Sequence, residues 1–158
     1  MDNELKELET LKLEHLKQSI DKEILSIKFG MSLAKGNLEI CKWIYSLGIL
    51  NNMGNNNNTC FILFKILCRI GNFEIFEWFY NTFIMDLSKF SKIENINILI
   101  DACRSLSENG RIIQFLFFRF EFTENEVNNI VKKLSEEKGK YFLESINSWG
   151  SYTKPVNM

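Results

Sequence analysis

A ten-residue motif occurs twice in this chain, at residues 36–45 and again at 71–80. Both copies open with Gly-Asn, keep Glu and Ile at the same places and end in Trp, an apolar residue and Tyr, with a shift of 35 residues between them. An internal repeat of this length is typical of stacked helical pairs, each of which buries an apolar side against the next. The motif therefore predicts an all-α, helical-repeat solenoid.

The same interval continues outside the motif. Two further series are spaced by 35 residues and are apolar throughout: Phe29, Phe64 and Leu99, and Leu33, Cys68 and Cys103. They indicate a third copy, in which Gly110 falls four residues later than the interval requires. We therefore expect an insertion within 106–109 that lengthens the turn between two helices.

About three repeats and two ends account for the 158 residues, which fit one domain. The predicted divisions are an N-terminal capping helix at 1–23, repeats at 24–58, 59–93 and 94–122, a divergent fourth repeat or C-terminal cap at 123–150, and a frayed tail at 151–158. An end unit needs a polar outer side, because an apolar one would face water.

The first two predicted helices are amphipathic. In the capping helix, Glu and Lys surround a predicted inner face made of Leu5, Leu8, Leu13, Leu16 and Ile20. The next helix is expected to end at Gly36, since glycine tolerates the left-handed conformation that reverses the chain. Its apolar residues at helical spacing are Ile24, Ile27, Phe29 and Leu33.

The C-terminal third leaves one assignment open. Repeat register favours a helix from Gly110 at least to Phe118, whereas the alternation of phenylalanine with charged residues over 118–122 is also typical of a strand. Because such an apolar stretch is prone to aggregate, we expect the following residues to cover it. There, 123–126 has the pattern of a capping box, and Gly139 is predicted to form a turn before a short last helix.

Six of the ten residues at 50–59 are asparagine, which predicts a loop extending into solvent. Two interpretations stay open for this loop. It either reflects the drift of an AT-rich genome or serves as a recognition loop, in which Met53 would be a contact residue.

Charge and composition exclude several classes of protein. The formal net charge is −1 and the cationic residues are interspersed with acidic ones, which argues against nucleic-acid binding. No apolar stretch approaches the roughly 18 residues of a membrane span, and no secretory signal is present. We expect an intracellular, cytoplasmic protein whose cysteines stay reduced: Cys41, Cys60, Cys68 and Cys103.

Residues arranged for catalysis are lacking as well. The single histidine, His15, lies among Glu and Lys and is predicted to be an ordinary surface residue. No spacing typical of a zinc site and no glycine-rich phosphate loop occurs, so neither a metal nor a cofactor is expected. Trp43 and Trp78 hold equivalent repeat positions and are predicted to pack between repeats. The chain is not expected to be an enzyme.

Residues 36–44 and their copy at 71 resemble the Gly-His-Leu-Glu-hydrophobic-Val-Lys-Trp-Leu motif of the ankyrin repeat family. Asp101-Ala102-Cys103-Arg104 is similar to the small-residue end of the first helix of such a repeat. The resemblance covers 24–122 and is greatest to divergent members found in amoebae with AT-rich genomes and in their large DNA viruses. The Thr-Pro-Leu-His opening of a typical repeat is missing, so the predicted repeat boundaries and loop shapes are less defined.

This resemblance implies a non-catalytic module that binds another protein through its concave surface, in a host cytoplasm if the chain is viral. Carried over by position, the implied binding residues are Ala34, Lys35, Arg69, Ile70, Arg104 and Ser105. The finger loops would be 51–58, which contains Met53, and 86–92. Within this function a monomer is expected. The alternative is a self-assembling structural protein that uses the aromatic side chains of 115–122.

Overall fold

The computed structural model describes residues 2–50, 58–70, 72–83, 85–104 and 110–149, and these residues are helical apart from short connections. The α-helices are α1 (Asp2–Lys17), α2 (Lys22–Lys35), α3 (Leu38–Ser46), α4 (Asn58–Ile70), α5 (Phe73–Thr82), α6 (Lys92–Arg104), α7 (Gly110–Phe120), α8 (Glu124–Lys133) and α9 (Glu136–Trp149). A 3-10 turn covers Leu87–Lys89. The all-α prediction is thereby confirmed, and no strand occurs in the described ranges.

The chain divides into two compact units. Unit 1 comprises Met1–Leu67 and Glu74–Met85, and unit 2 comprises Cys68–Phe73 and Asp86–Met158. The boundary passes through α4 and α5, most of whose residues belong to unit 1. None of the described helices is both long and apolar enough to cross a membrane.

The α2–α3 turn forms as the Gly-Asn motif predicts. Gly36 adopts the left-handed conformation, with φ of 80°, and its N–H donates to the Leu33 carbonyl at 3.2 Å. Asn37 then caps α3, since its Oδ1 accepts a hydrogen bond of 3.2 Å from the Ile40 N–H. One glycine and one asparagine thus end one helix and start the next within two residues.

Aromatic side chains fill the interior of unit 1. Phe29 of α2 lies 6.3 Å from Trp78 and 6.1 Å from Phe83 between ring centroids. Phe64 of α4 lies 5.5 Å from Phe76 of α5. Rings in these offset and edge-on arrangements bury large apolar areas and hold helices in register.

Helix α1 buries a different side from the one predicted. Its buried side chains are Leu8 and Leu11, while Leu5, Leu13 and Leu16 point into solvent. The prediction of a polar outer side is therefore wrong. Five leucines spread over more than half of the circumference of α1, so helical periodicity alone could not identify the inner face.

In unit 2, helix α6 packs against α7, α8 and α9. Phe117 of α7 lies 6.1 Å from Phe142 and 5.5 Å from Trp149 of α9. This confirms that C-terminal residues cover the phenylalanine-rich stretch. It also settles the open assignment, because α7 is helical to Phe120 and the strand interpretation is wrong.

Helix α8 begins with the predicted capping box. The Thr123 hydroxyl accepts from the Glu126 N–H at 3.3 Å, and the Glu126 carboxylate accepts from the Thr123 N–H at 2.9 Å. Lys92 of α6 joins the same region, where its Nζ donates to the Phe120 and Glu121 carbonyls at 3.2 and 3.1 Å. The end of α7 and the start of α8 are thus fixed by one lysine and one reciprocal cap.

Gly139 does not form the predicted turn. It lies inside α9 and is buried against α8, where a Cβ atom would come within 3.2 Å of both Val131 Cγ1 and the Val131 carbonyl oxygen. The glycine therefore serves the close approach of two helices and not a chain reversal. Sequence alone does not separate these two uses of glycine.

Several predictions fall outside the described residues: most of the asparagine-rich loop, the proposed insertion at 106–109 and the tail at 151–158. The second predicted finger, 86–92, is described in full. It consists of the 3-10 turn and the start of α6, and the Asp86 carboxylate caps the turn by accepting from the Ser88 N–H at 3.1 Å.

Candidate functional site

The outward side of α2 is apolar. Ile24, Ile27 and Met31 recur at helical spacing and are 53%, 63% and 47% exposed. The opposite side of the helix carries the buried Leu25 and Phe29. Ile24 and Ile27, predicted to share a face with Phe29, are therefore surface residues, and that part of the sequence prediction is wrong.

Helix α4 repeats this arrangement 35 residues later. Ile62 and Ile66 correspond to Ile27 and Met31, and they are 57% and 37% exposed. Phe64, on the inner side of α4, is fully buried. Aliphatic side chains thus lie outward at matching positions of two helices of unit 1. We call the set Ile24, Ile27, Met31, Ile62 and Ile66 the α2–α4 face.

A pocket of about 390 Å³ connects α2 with the start of α4. Its lining comes from the first half of α2, from the residues after α3 and from the start of α4: Lys22, Glu23, Ser26, Ile27, Ile49, Leu50 and Thr59. The aliphatic Ile27 therefore belongs both to the exposed face and to a concave site. A large apolar side chain of a partner could occupy such a depression.

Cationic side chains accompany the α2–α4 face. Lys28 is half-buried beside Ile24 and Met31, and Lys35 is exposed one turn beyond Met31. Helix α2 carries three lysines and one glutamate. The exposed Glu23 lies one turn before Ile27, so the margin of the face carries both signs of charge, with lysine in excess.

The predicted binding residues divide between the two units. Ala34 and Lys35 are exposed at the C-terminal end of α2, next to the α2–α4 face. Arg69, which is exposed, and Ile70, which is half-buried, end α4 and belong to unit 2. Two of the predicted binding residues, Met53 and Ser105, lie outside the described part of the chain.

Arg104 is already engaged within the chain. Its Nη2 donates to the Lys133 carbonyl at 2.7 Å, at the C-terminal end of α8. A cation there complements the negative end of the helix dipole and satisfies a carbonyl that no N–H of α8 reaches. Arg104 thus has a structural contact that the repeat position did not predict.

Trp43, Trp78 and His15 pack against other rings in the structure. Trp43 meets the His15 ring edge-on at 5.7 Å, and Trp78 meets Tyr45 at 6.0 Å. His15 Nδ1 accepts a hydrogen bond of 3.1 Å from the Ile20 N–H, so its ring shapes the turn after α1. The histidine is half-buried, and the prediction of an ordinary surface residue missed this contact.

All four cysteines are buried and carry free thiols. Burial raises the pKa of Cys41 and Cys103 to about 12 and that of Cys60 to about 11, and it raises the pKa of Cys68 further. The thiolate is the nucleophilic form, so these groups are weakly reactive near neutral pH. Among the described residues, no three His, Cys, Asp or Glu side chains form a cluster suited to a metal ion.

The sequence carries a signal for the α2–α4 face, namely two repeat positions that are aliphatic in successive copies. Ile27 and Ile62 are aliphatic at one repeat position, and Met31 and Ile66 at another. These positions lie on a different side of each helix from Phe29 and Phe64, and a helical projection separates the two sides.

No protein-family model, curated protein or solved structure matches this chain.

Proposed function

We propose that this chain is a non-catalytic protein-binding module whose α2–α4 face contacts the partner. The observation that carries the proposal is the row of exposed aliphatic side chains at matching positions of α2 and α4. Burying them against a partner would remove apolar area from water at about 25 cal/mol per Å². Exposed apolar residues that recur one turn apart on the same side of a helix form a patch, and such patches mark interaction sites more often than isolated apolar residues do.

An ankyrin-like solenoid is the architecture that we propose for this module. In its support, residues 35 apart have the same burial: Phe29, Phe64 and Leu99 are all buried, and so are Leu33, Cys68 and Cys103. Helices α2 and α3 pack as a pair, and so do α6 and α7. Equal burial at equal intervals is expected when each repeat presents the same inner side to its neighbours.

The alternative function, self-assembly through the aromatic side chains of 115–122, has less exposed area available. Phe117, Phe120 and Phe122 are buried within unit 2, and Phe115 and Phe118 are half-buried. We therefore favour the aliphatic α2–α4 face over these aromatic side chains as the contact surface.

Affinity capture from a lysate of the native cell tests the proposal. The bait is the intact protein, compared with a face variant, Ile27→Glu with Met31→Glu, and with the matched control Ile93→Glu. Ile93 is an aliphatic residue of α6 that is 72% exposed and lies outside the face. We expect a captured protein to be lost with the face variant and kept with the control, while circular dichroism and melting stay unchanged. A partner retained by the face variant would contradict the proposal.

A further inference from the structure

We draw no further inference here: the strongest candidate, the patch of exposed leucines on helix α1 (Leu5, Leu13 and Leu16), has Glu9 as well as Lys6 and Lys12 along its border, and nothing in the structure shows what covers it.

Discussion

Helices α2 and α6 hold corresponding positions along the chain, yet they present different outer sides. Their inner sides agree, with Phe29 and Leu99 both buried at the same repeat position. Outward, however, α2 exposes Ile27 where α6 exposes Asn97. The fold therefore requires only the inner residues, and the exposed aliphatic side chains of unit 1 are not a condition of helix packing.

The inner sides differ at one repeat position as well. Leu25 and Cys60 are apolar and buried in unit 1, whereas unit 2 places Asn95 there. Asn95 is buried and its Oδ1 has no hydrogen-bond partner. An unpaired buried amide oxygen costs about 1–3 kcal/mol, so unit 2 is locally destabilised at this repeat position, where unit 1 has apolar side chains. Unit 1 has an unpaired buried amide atom elsewhere, the Nδ2 of Asn37.

The largest effect should come from the shared inner side. Phe29→Ala is expected to lower the free energy of unfolding by about 3–5 kcal/mol, because a fully buried ring leaves a cavity. Ile27→Ala, two residues earlier but 63% exposed, should change it by less than about 0.5 kcal/mol. Urea unfolding followed by circular dichroism measures both. Equal losses would mean that Ile27 is not a surface residue.

Cys60 and Asn95 occupy the same repeat position, and exchanging their residue types should change the free energy of unfolding in opposite directions. Cys60→Asn is expected to destabilise by about 1–3 kcal/mol, because it buries an amide in an apolar site. Asn95→Cys, of similar volume, should stabilise by about 1 kcal/mol, since it removes the unpaired oxygen. Thermal melting under reducing conditions measures both variants. A destabilised Asn95→Cys would show that the amide has a favourable role.

The predicted binding residues provide a third comparison. Arg104→Ala should destabilise by about 1 kcal/mol through loss of the hydrogen bond to the Lys133 carbonyl. Lys35→Ala, also in the last turn of its helix, should have no measurable effect on stability. Denaturant midpoints of the two variants, with the natural protein as reference, make the comparison. Equal midpoints would place Arg104 among the purely solvent-exposed residues.

The smallest expected effect concerns Glu126. Hydrogen bonds from Thr123, and then the charge of Lys92, lower the pKa of this carboxyl. The charged form therefore stabilises the fold above the normal pKa of glutamate, and this stabilisation is lost as pH falls through the lowered value. Glu126→Gln should lose less than about 1 kcal/mol at neutral pH, and the difference from the natural protein should vanish in acid. A difference independent of pH would contradict an electrostatic role.

Local signals in the sequence predicted most of the described fold. The Gly36–Asn37 turn and the Thr123 capping box depend on residues a few positions apart, and both formed as expected. Repeat register also predicted α7 correctly, because the interval from α5 carries information that the alternating phenylalanines lack. These features need no knowledge of distant contacts.

The inner and outer sides of α1 and α2 were harder to predict. Both helices have apolar residues around more than half of their circumference, and the side that turns inward is decided by the helix packed against it. The same reason applies to Gly139, whose role depends on Val131 of α8. The candidate site was therefore visible as a repeated aliphatic pattern, and a helical projection separates it from Phe29 and Phe64, but the sequence does not say which of the two apolar sides turns inward.

Lys92 shows how narrowly a side-chain type can be specified at a helix end. Its ammonium group donates to two carbonyls and lies 3.8 Å from the Glu126 carboxylate, so three acceptors surround one nitrogen. A tetrahedral ammonium can direct its three N–H bonds to acceptors placed in this way, whereas a guanidinium holds its donors in one plane. Lys92→Arg retains the charge but replaces a tetrahedral ammonium with a planar guanidinium. Some of the three oxygen acceptors around Lys92 would then lack a donor.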